Sequence, residues 1–515
     1  MIFSEKQIKE LEEKYKREIR RLKKENEQKE LENKLLKKEN KNNKEIIHDL
    51  DKKNYRSQCE ALKLENRELK KKLKIYEEKL NLARNRLEKN SSNSCKPSST
   101  NGFKKVIQNN RVKSGRKPGR EKGHKRSAPI VCKNPDNIIN VSKVATCTCG
   151  CKTTDLNYVS RDLISLEIHV KTTQYTGKKT KCTCCGKEYS PKFPSEVKSI
   201  INYDSSIKAL IVYLNSYCNV SNQKVTELLG LLSDGKLNVS TGTVGNAMYQ
   251  FSKKSKNTIK DIKQEILKQP VINEDETPIS VNGKFMSTIG VFTNKISLLD
   301  AFENRTLASF KEMGILDRYV GTVCHDHNSI HLCFTQSKQA ECNFHILRYC
   351  KGEYEIHKRE EIKDFMNYLL SLRDEADKYK HEGKDSFKDV EYKIAKEKYL
   401  ELLDKWDKTH KKDCTSENTY YYNSERCLIT RLKDFADDHL RFLTDFRIDF
   451  TNNLAERGLR KIKTKQKIAG GFRKLEFAKY YYDAISIIDT CKKQNMNIYQ
   501  TIKDIFMSKK KIFAF

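Results

Sequence analysis

The chain has 515 residues, enough for about two to four domains, and carries 102 Lys and Arg against 69 Asp and Glu. The formal net charge of +33 favours a polyanionic partner, most commonly nucleic acid. No apolar run approaches a membrane span and the first residues turn polar at once, so we expect neither a membrane protein nor a signal peptide. Seventeen cysteines without a secretory signal indicate reduced thiols and metal ligands rather than disulfides.

Residues 1–89 predict a coiled coil, because they contain almost no helix breakers and repeat apolar residues in steps of four and three from Leu62 to Leu87. Asn66 falls at an a position of this register. A paired Asn at that position favours an in-register parallel dimer. We therefore expect a homodimer or higher oligomer through this segment; the alternative is a single solvated charged helix.

Residues 90–128 predict a basic, disordered linker, because Ser, Asn, Gly and Pro break any helix and the apolar content is too low for a core. Between Lys104 and Arg126 ten cations face one acid. We expect a mobile arm that contacts DNA phosphates, with binding that weakens steeply with salt; a plain solvated linker is the alternative. The candidate contacts are Arg111, Lys113, Arg116, Lys117, Arg120, Lys125 and Arg126.

Residues 129–200 predict a zinc-ribbon-like domain built on two cysteine clusters. The candidate thiols are Cys147, Cys149, Cys151, Cys182 and Cys185. The second cluster has C-x-x-C followed by glycine, the usual knuckle of a structural Zn²⁺ site. The first cluster lacks that spacing, so which two of its thiols would bind stays open. A site that has lost its metal and keeps buried thiols is the alternative.

Residues 201–265 predict helices, of which the last pair resembles a helix-turn-helix. A turn rich in Gly and Asn follows the first helix, and Ser240 caps the second. The exposed side of the second helix, with Thr241, Thr243 and Asn246, would read a DNA groove. An ordinary helical hairpin is the alternative.

Residues 266–350 predict three strands, a short helix and a fourth strand, the opening order of a ribonuclease H-like core. Asp275 lies within the first strand and Asp326 closes the fourth. If these strands are neighbours, the two carboxylates converge and repel each other unless a divalent cation lies between them. Mg²⁺ prefers such oxygen ligands, and paired ions support phosphodiester chemistry. Taken singly, a strand Asp is more often an edge or turn residue than a ligand.

Residues 446–515 supply the third candidate acid, Glu456. Asn452 or Asn453 would cap a helix that places Glu456 in its first turn, with Arg457 and Arg460 close enough to hold phosphates. An acid among cations is alternatively an ion-paired surface residue.

Residues 351–445 predict a helical insertion, because the stretch between the second and third acids is much longer than such a core needs. It contains the single tryptophan, Trp406. We expect Trp406 to lie in a core; stacking on DNA is the alternative.

The ordered series KPSSTNGFKK, SGRKPGREKGH, paired cysteine clusters, DETP, ECNFHILR, NNLAERGLRKIK and GGFR resembles transposases of insertion sequence family 66, a branch of the Asp-Asp-Glu transposases. The resemblance implies a catalytic triad of Asp275, Asp326 and Glu456 that uses Mg²⁺ or Mn²⁺. It also implies that Cys342 and His345 support the active site or DNA contacts, with core packing as the alternative. Two departures stand out, the TCTCGC spacing and an added cation at Arg120.

The sequence therefore predicts a multidomain α+β protein that acts as a DNA transposase. It would bind the terminal inverted repeats of its element as double-stranded DNA, cleave them and transfer the strands to target DNA. The resemblance implies small accessory proteins of the same element, and we expect a cytoplasmic, nucleoid-associated location. The alternatives are a non-catalytic, transposase-derived regulator and a coiled-coil scaffold that binds nucleic acid loosely.

Overall fold

The computed structural model describes residues 5–42, 50–90, 93–94, 134–142, 144–154, 157, 159–414, 419–509 and 512–513. The predicted basic arm and its seven named cations lie outside these residues. The chain divides into two compact units, the first formed by residues 1–107, 203–222 and 242–515 and the second by residues 108–202 and 223–241. No helix in the described part is both long and apolar enough to cross a membrane.

The first unit begins with two long helices, α1 (Glu5–Asn42) and α2 (Leu50–Glu88), which run antiparallel. Ion pairs between Glu12 and Arg84 at one end and between Lys29 and Glu65 further along fix this direction. The apolar seam is buried between the two helices; its buried members include Ile19, Leu22, Leu69, Leu80 and Ala83.

This hairpin differs from the expected parallel pairing at Asn66. The side chain of Asn66 is buried, and its Oδ1 accepts no hydrogen bond from the described residues. An a/d pattern specifies a seam but not its partner, and a segment of the same chain has a high effective concentration. The homodimer itself stays a prediction, because pairing within one chain does not test it.

The second unit contains a short antiparallel hairpin of β1 (Thr180–Lys181) and β2 (Glu188–Tyr189), with the second cysteine cluster in its turn. The run LISLEIHVKTTQYTG, residues 163–177 between the two cysteine clusters, predicts strands, but residues 159–179 carry no regular element in the structure. Most apolar side chains of this segment are exposed, because no strand pairs with it.

Four helices occupy the region predicted as helical. They are α3 (Ser205–Val212), α4 (Asn222–Leu232), α5 (Thr241–Lys254) and α6 (Lys256–Leu267). On α5 the predicted apolar face is buried, including Val244 and Phe251, while Thr241 and Asn246 are exposed and Thr243 is half-buried. Most of α4 belongs to the second unit, whereas most of α5 belongs to the first.

A five-stranded mixed sheet forms the centre of the first unit. Its elements are β3 (Val271–Val281), β4 (Lys284–Phe292), β5 (Ser297–Phe302), α7 (Leu307–Met313), β6 (Thr322–His325) and β7 (Lys338–Glu341). This order confirms the predicted three strands, helix and fourth strand. The spatial order is β5-β4-β3-β6-β7. β4 is antiparallel to both of its neighbours, β3 and β5, whereas β6 and β7 run parallel to β3. Asn282 and Gly283 adopt positive φ in the tight turn between β3 and β4.

The stretch predicted as a helical insertion, residues 351–445, is mainly helical where the structure describes it. Its helices are α8 (Asn343–His357), α9 (Glu360–His381), α10 (Asp389–Asp413), α11 (Thr419–Asp434) and α12 (Ala436–Leu440). They share an apolar core that includes Phe365, Leu369 and Tyr399. Trp406 is fully buried in that core, as expected, and its Nε1–H donates to Glu425 (2.6 Å).

Three helices complete the first unit: α13 (Asn453–Ala469), α14 (Leu475–Lys493) and α15 (Ile498–Phe506). α14 packs on β5 of the sheet. The Ser486 hydroxyl accepts the Leu299 N–H of β5 (2.9 Å), and the Thr490 hydroxyl accepts the Ser297 N–H (3.1 Å). This contact braces the edge of the sheet opposite β7.

Candidate active site

Asp275 and Asp326 lie at neighbouring positions on two adjacent parallel strands. Asn273 of β3 is registered with Cys324 of β6, and each acid lies two residues further along its own segment. Both side chains are half-buried. The structure thus brings together the two aspartates that the strand pattern selected.

Glu456 joins them from the first turn of α13. Gly458 lets this helix approach β4, because a Cβ there would lie 2.2 Å from the Phe292 ring. Beyond α13, Phe472 exchanges main-chain hydrogen bonds with Ser280 and Asn282, and Gly471 has φ 144° against the Ser280 carbonyl. The G-G-F segment therefore clamps α13 to the end of β3.

The electrostatics of Asp275 reflect this convergence. Burial raises the pKa of Asp275 well above its ordinary value, and the charges of Asp326, Glu274 and Glu456 raise it further. Acid side chains that raise one another's pKa values repel each other when ionised, and a cation relieves that repulsion.

Carboxylate oxygens are the ligands that Mg²⁺ and Mn²⁺ prefer, so the donor set of Asp275, Asp326 and Glu456 fits these ions. The Oδ1 atom of Asp326 also has a partner within the protein, because it lies 2.9 Å from His345 Nδ1.

Glu274 points to the other face of β3 and has a different role. Its Oε2 lies 2.6 Å from His331 Nε2, and His331 Nδ1 lies 3.2 Å from the Asn328 carbonyl. Burial raises the pKa of Glu274 well above its ordinary value and lowers that of His331 to about 4. Burial thus disfavours the charged form of both groups, and the two share a buried hydrogen bond.

Glu276 also faces away from Asp275 and ties two loops to β3. Its Oε1 accepts hydrogen bonds from Arg305 Nη2 (2.8 Å) and Asn328 Nδ2 (2.6 Å). Asn328 follows Asp326 by two residues, so this contact restrains the loop that carries the second acid.

Cys342 and His345 both lie beside Asp326. The Cys342 N–H donates to the His325 carbonyl (3.0 Å), and His345 Nδ1 is 2.9 Å from Asp326 Oδ1. Burial lowers the pKa of His345, but the contacts with Asp326 and Cys342 outweigh that effect and raise it to about 11. The imidazole is thus placed to orient the second acid. Ligand atoms of Asp326, Cys342 and His345 also lie within 4.8 Å of one another.

Two predicted phosphate contacts lie next to Glu456 on α13. Arg457 and Arg460 are exposed, and the Arg457 Nε–H donates to the helix's own carbonyl at Asn453 (3.3 Å). Both side chains are open to an incoming phosphate.

The two cysteine clusters form separate turns. The Cys147 N–H donates to the Cys151 carbonyl (2.8 Å), and the Gly186 N–H donates to the Cys182 carbonyl (3.0 Å). Hydrogen bonds from the main-chain N–H groups of Cys185 and Cys184 lower the pKa of the Cys182 thiol. The main-chain N–H of Cys149 lowers the pKa of the Cys147 thiol in the same way. Within the described residues, however, the predicted thiols do not converge as a metal-ligand group, so zinc binding stays a prediction.

The sequence analysis missed two polar residues of the site and gave a third, Asn452, only a capping role. Arg305 and Asn328 are held by Glu276, a contact that depends on strand pairing and leaves no local signal. Asn452 occupies the N-cap position of α13, but its side chain makes no capping hydrogen bond and contacts β3 instead. The sequence feature that could have indicated this role is the position of Asn452, four residues before Glu456.

Comparison with protein families gives one match. The family model described as "Transposase IS66 family" matches residues 203–480, more than half of the chain, and this range includes all three acids. No curated protein matches the chain. From the extent of the match, the chain belongs to the IS66 family of transposases.

Proposed function

We propose that this chain is a catalytic DNA transposase in which Asp275, Asp326 and Glu456 form the active site. The observation that carries the proposal is the convergence of three acids from β3, the end of β6 and α13, with the pKa of Asp275 raised by burial and by the other carboxylates. Repulsion between the ionised carboxylates destabilises such a cluster, and bound cations stabilise it by relieving that repulsion.

The sheet is proposed as a ribonuclease H-like core. Its central strand β3 has an antiparallel pair on one side and a parallel pair on the other, and the acids lie where β3 meets β6. In this arrangement the helical insertion enters between β7 and α13, so the third acid returns to the sheet after the insertion.

The chain's own residues divide the work. When bound, Mg²⁺ or Mn²⁺ supplies Lewis-acid activation and charge stabilisation at the phosphodiester. Asp275, Asp326 and Glu456 supply the oxygen ligands, and His345 orients Asp326 through the 2.9 Å contact. Arg457 and Arg460 bind phosphates of the DNA strand beside Glu456.

End recognition is proposed for the second unit, the basic arm and the exposed side of α5, with Thr241, Thr243 and Asn246 facing DNA. A structural Zn²⁺ would require the two cysteine turns to come together. Further proposals are a homodimer or higher oligomer through the N-terminal helices, accessory proteins of the same element, and a cytoplasmic, nucleoid-associated location.

The test is cleavage of labelled DNA carrying the element's own ends in Mg²⁺ or Mn²⁺. Wild type is compared with Asp275→Ala and Glu456→Ala. The matched control is Asp300→Ala, because burial also raises the pKa of this acid, which lies on β5 of the same sheet.

We expect metal-dependent nicking at the ends by wild type and Asp300→Ala, and none by the other two variants, with end binding kept throughout. Equal cleavage by all four proteins would contradict the proposed triad. Binding without cleavage by wild type, with the accessory proteins supplied, would instead favour a non-catalytic regulator.

A further inference from the structure

Asn452 lies where the segments that carry the three acids meet. It is 1% exposed, and its Nδ2–H donates to the main-chain carbonyl of Glu274 (2.6 Å). Its Oδ1 accepts a hydrogen bond from Asn273 Nδ2 (3.0 Å), and its main-chain N–H donates to Cys342 Sγ (3.2 Å). One residue thus joins β3, the residue after β7 and the start of α13.

The spacing of this contact matches the spacing of the acids. Asn273 precedes Asp275 by two strand residues, so the two side chains lie on the same face of β3. Asn452 precedes Glu456 by one helical turn, and the Glu456 N–H donates to the Asn452 carbonyl (3.2 Å). The Asn273–Asn452 pair therefore lies one step behind the Asp275–Glu456 pair, and it is buried where the acids are half-buried.

Asn452 is connected to Asp326 through Cys342. Its Sγ accepts the Asn452 N–H, and its own N–H donates to the carbonyl of His325, the residue before Asp326. Because the Asn452 side chain is directed at β3 and makes no capping hydrogen bond, its role goes beyond starting α13.

We propose that Asn452, paired with Asn273, is a positioning residue that fixes the separation of Asp275 and Glu456 and thereby the affinity of the site for divalent cations. The proposal rests on the proposed function. Residues that orient metal ligands typically contribute about 10–100-fold in metal affinity.

The test measures Mn²⁺ binding to the purified full chain from the electron paramagnetic resonance signal of free Mn²⁺. Binding that is present in wild type and lost in Asp275→Asn defines the site. We expect Asn452→Ala to weaken this binding by about 10–100-fold and excess Mn²⁺ to restore end cleavage.

Asn215→Ala is the matched control. Asn215 is also buried, and its Nδ2 donates to the Val220 carbonyl (3.0 Å) and to Asn222 Oδ1 (2.9 Å), so alanine removes the same kinds of hydrogen bond. We expect its Mn²⁺ affinity to equal that of wild type.

The outcomes separate the two proposals. Wild-type Mn²⁺ affinity in Asn452→Ala would overturn the positioning role while leaving the proposed function intact. Equal binding by wild type and Asp275→Asn would instead contradict the metal site of the proposed function. If Asn452→Ala does not fold, Asn273→Ala removes the same pair from the strand side, and unchanged affinity in that variant overturns the proposal.

Discussion

Two acid-bearing centres in the same unit have opposite electrostatics. At the sheet, Asp275 is surrounded by Asp326, Glu274 and Glu456, and its pKa is raised. In the helical insertion, Glu425 is fully buried and accepts hydrogen bonds from three donors on two segments, the start of α9 and α10. The donors are Arg359 Nε (2.7 Å), Trp406 Nε1 (2.6 Å) and His410 Nδ1 (3.0 Å).

Burial acts on both centres in the same direction, so the partners decide the difference. Burial raises the pKa of Glu425, but the nearby His357 and the hydrogen bonds from Arg359, His410 and Trp406 outweigh it and lower that pKa. A carboxylate with internal cationic and N–H partners stabilises a fold. In the cluster at the sheet His345 compensates Asp326, but the pKa of Asp275 stays raised, and such a cluster is suited to binding ions from solution.

The largest expected contrast is in Asp275→Asn. Cleavage of end DNA should fall by about a thousand-fold or more, because a cation ligand is lost. The free energy of unfolding in metal-free buffer should stay equal or rise, because repulsion within the cluster is relieved. Urea denaturation and single-turnover cleavage measure the two effects, and a clear loss of stability would contradict the proposed repulsion.

Glu425→Gln should show the reverse pattern. Removing one partner of a buried ion pair costs about 3–5 kcal/mol, because Arg359 loses its buried counter-charge and keeps only the more exposed Asp413. Urea denaturation should detect this loss, whereas folded protein at low temperature should cleave end DNA at the wild-type rate. A stability equal to that of wild type would show that the Glu425 network is not structural.

Divalent cations should stabilise the protein through the centre at Asp275 and not through the centre at Glu425. Mn²⁺ at about 100 times its dissociation constant should add about 2.7 kcal/mol to the free energy of unfolding of wild type and of Glu425→Gln. Asp275→Asn should gain much less. A thermal-shift titration of the three proteins checks this, and equal shifts in all three would place the bound ions elsewhere.

The smallest expected effect is on pH dependence. Because the pKa of Glu425 is lowered in the folded protein, its stabilising contribution is present above the unfolded value of 4.5 and is lost as pH falls through the folded pKa. Urea denaturation between about pH 6 and 3 should therefore show a shallower acid destabilisation in Glu425→Gln than in wild type. Parallel curves for the two proteins would argue against the lowered pKa.

Much of the sheet that carries Asp275 and Asp326 could be predicted from local pattern. The strands that carry Asp275 and Asp326, the intervening helix and the burial of Trp406 follow from alternation, turn residues and helical spacing. The roles of Arg305 and Asn328 could not be predicted, because both depend on Glu276, which only strand pairing brings near them.

The N-terminal helices show the same limit. Their apolar seam was evident in the sequence, but its pairing with a second segment of the same chain was not. A heptad pattern states which face is buried, and the partner depends on which segment reaches that face first.

The sequence by itself determined the order of the strands, the helical insertion and the three candidate acids, since each depends on periodicity or on the identity of a residue. Only the tertiary structure decided that Asp275 is surrounded by acids while Glu425 is neutralised, and that Asn452 joins the segments of the site. Charge interactions and hydrogen bonds depend on distance in space, and folding sets those distances between residues far apart in the chain.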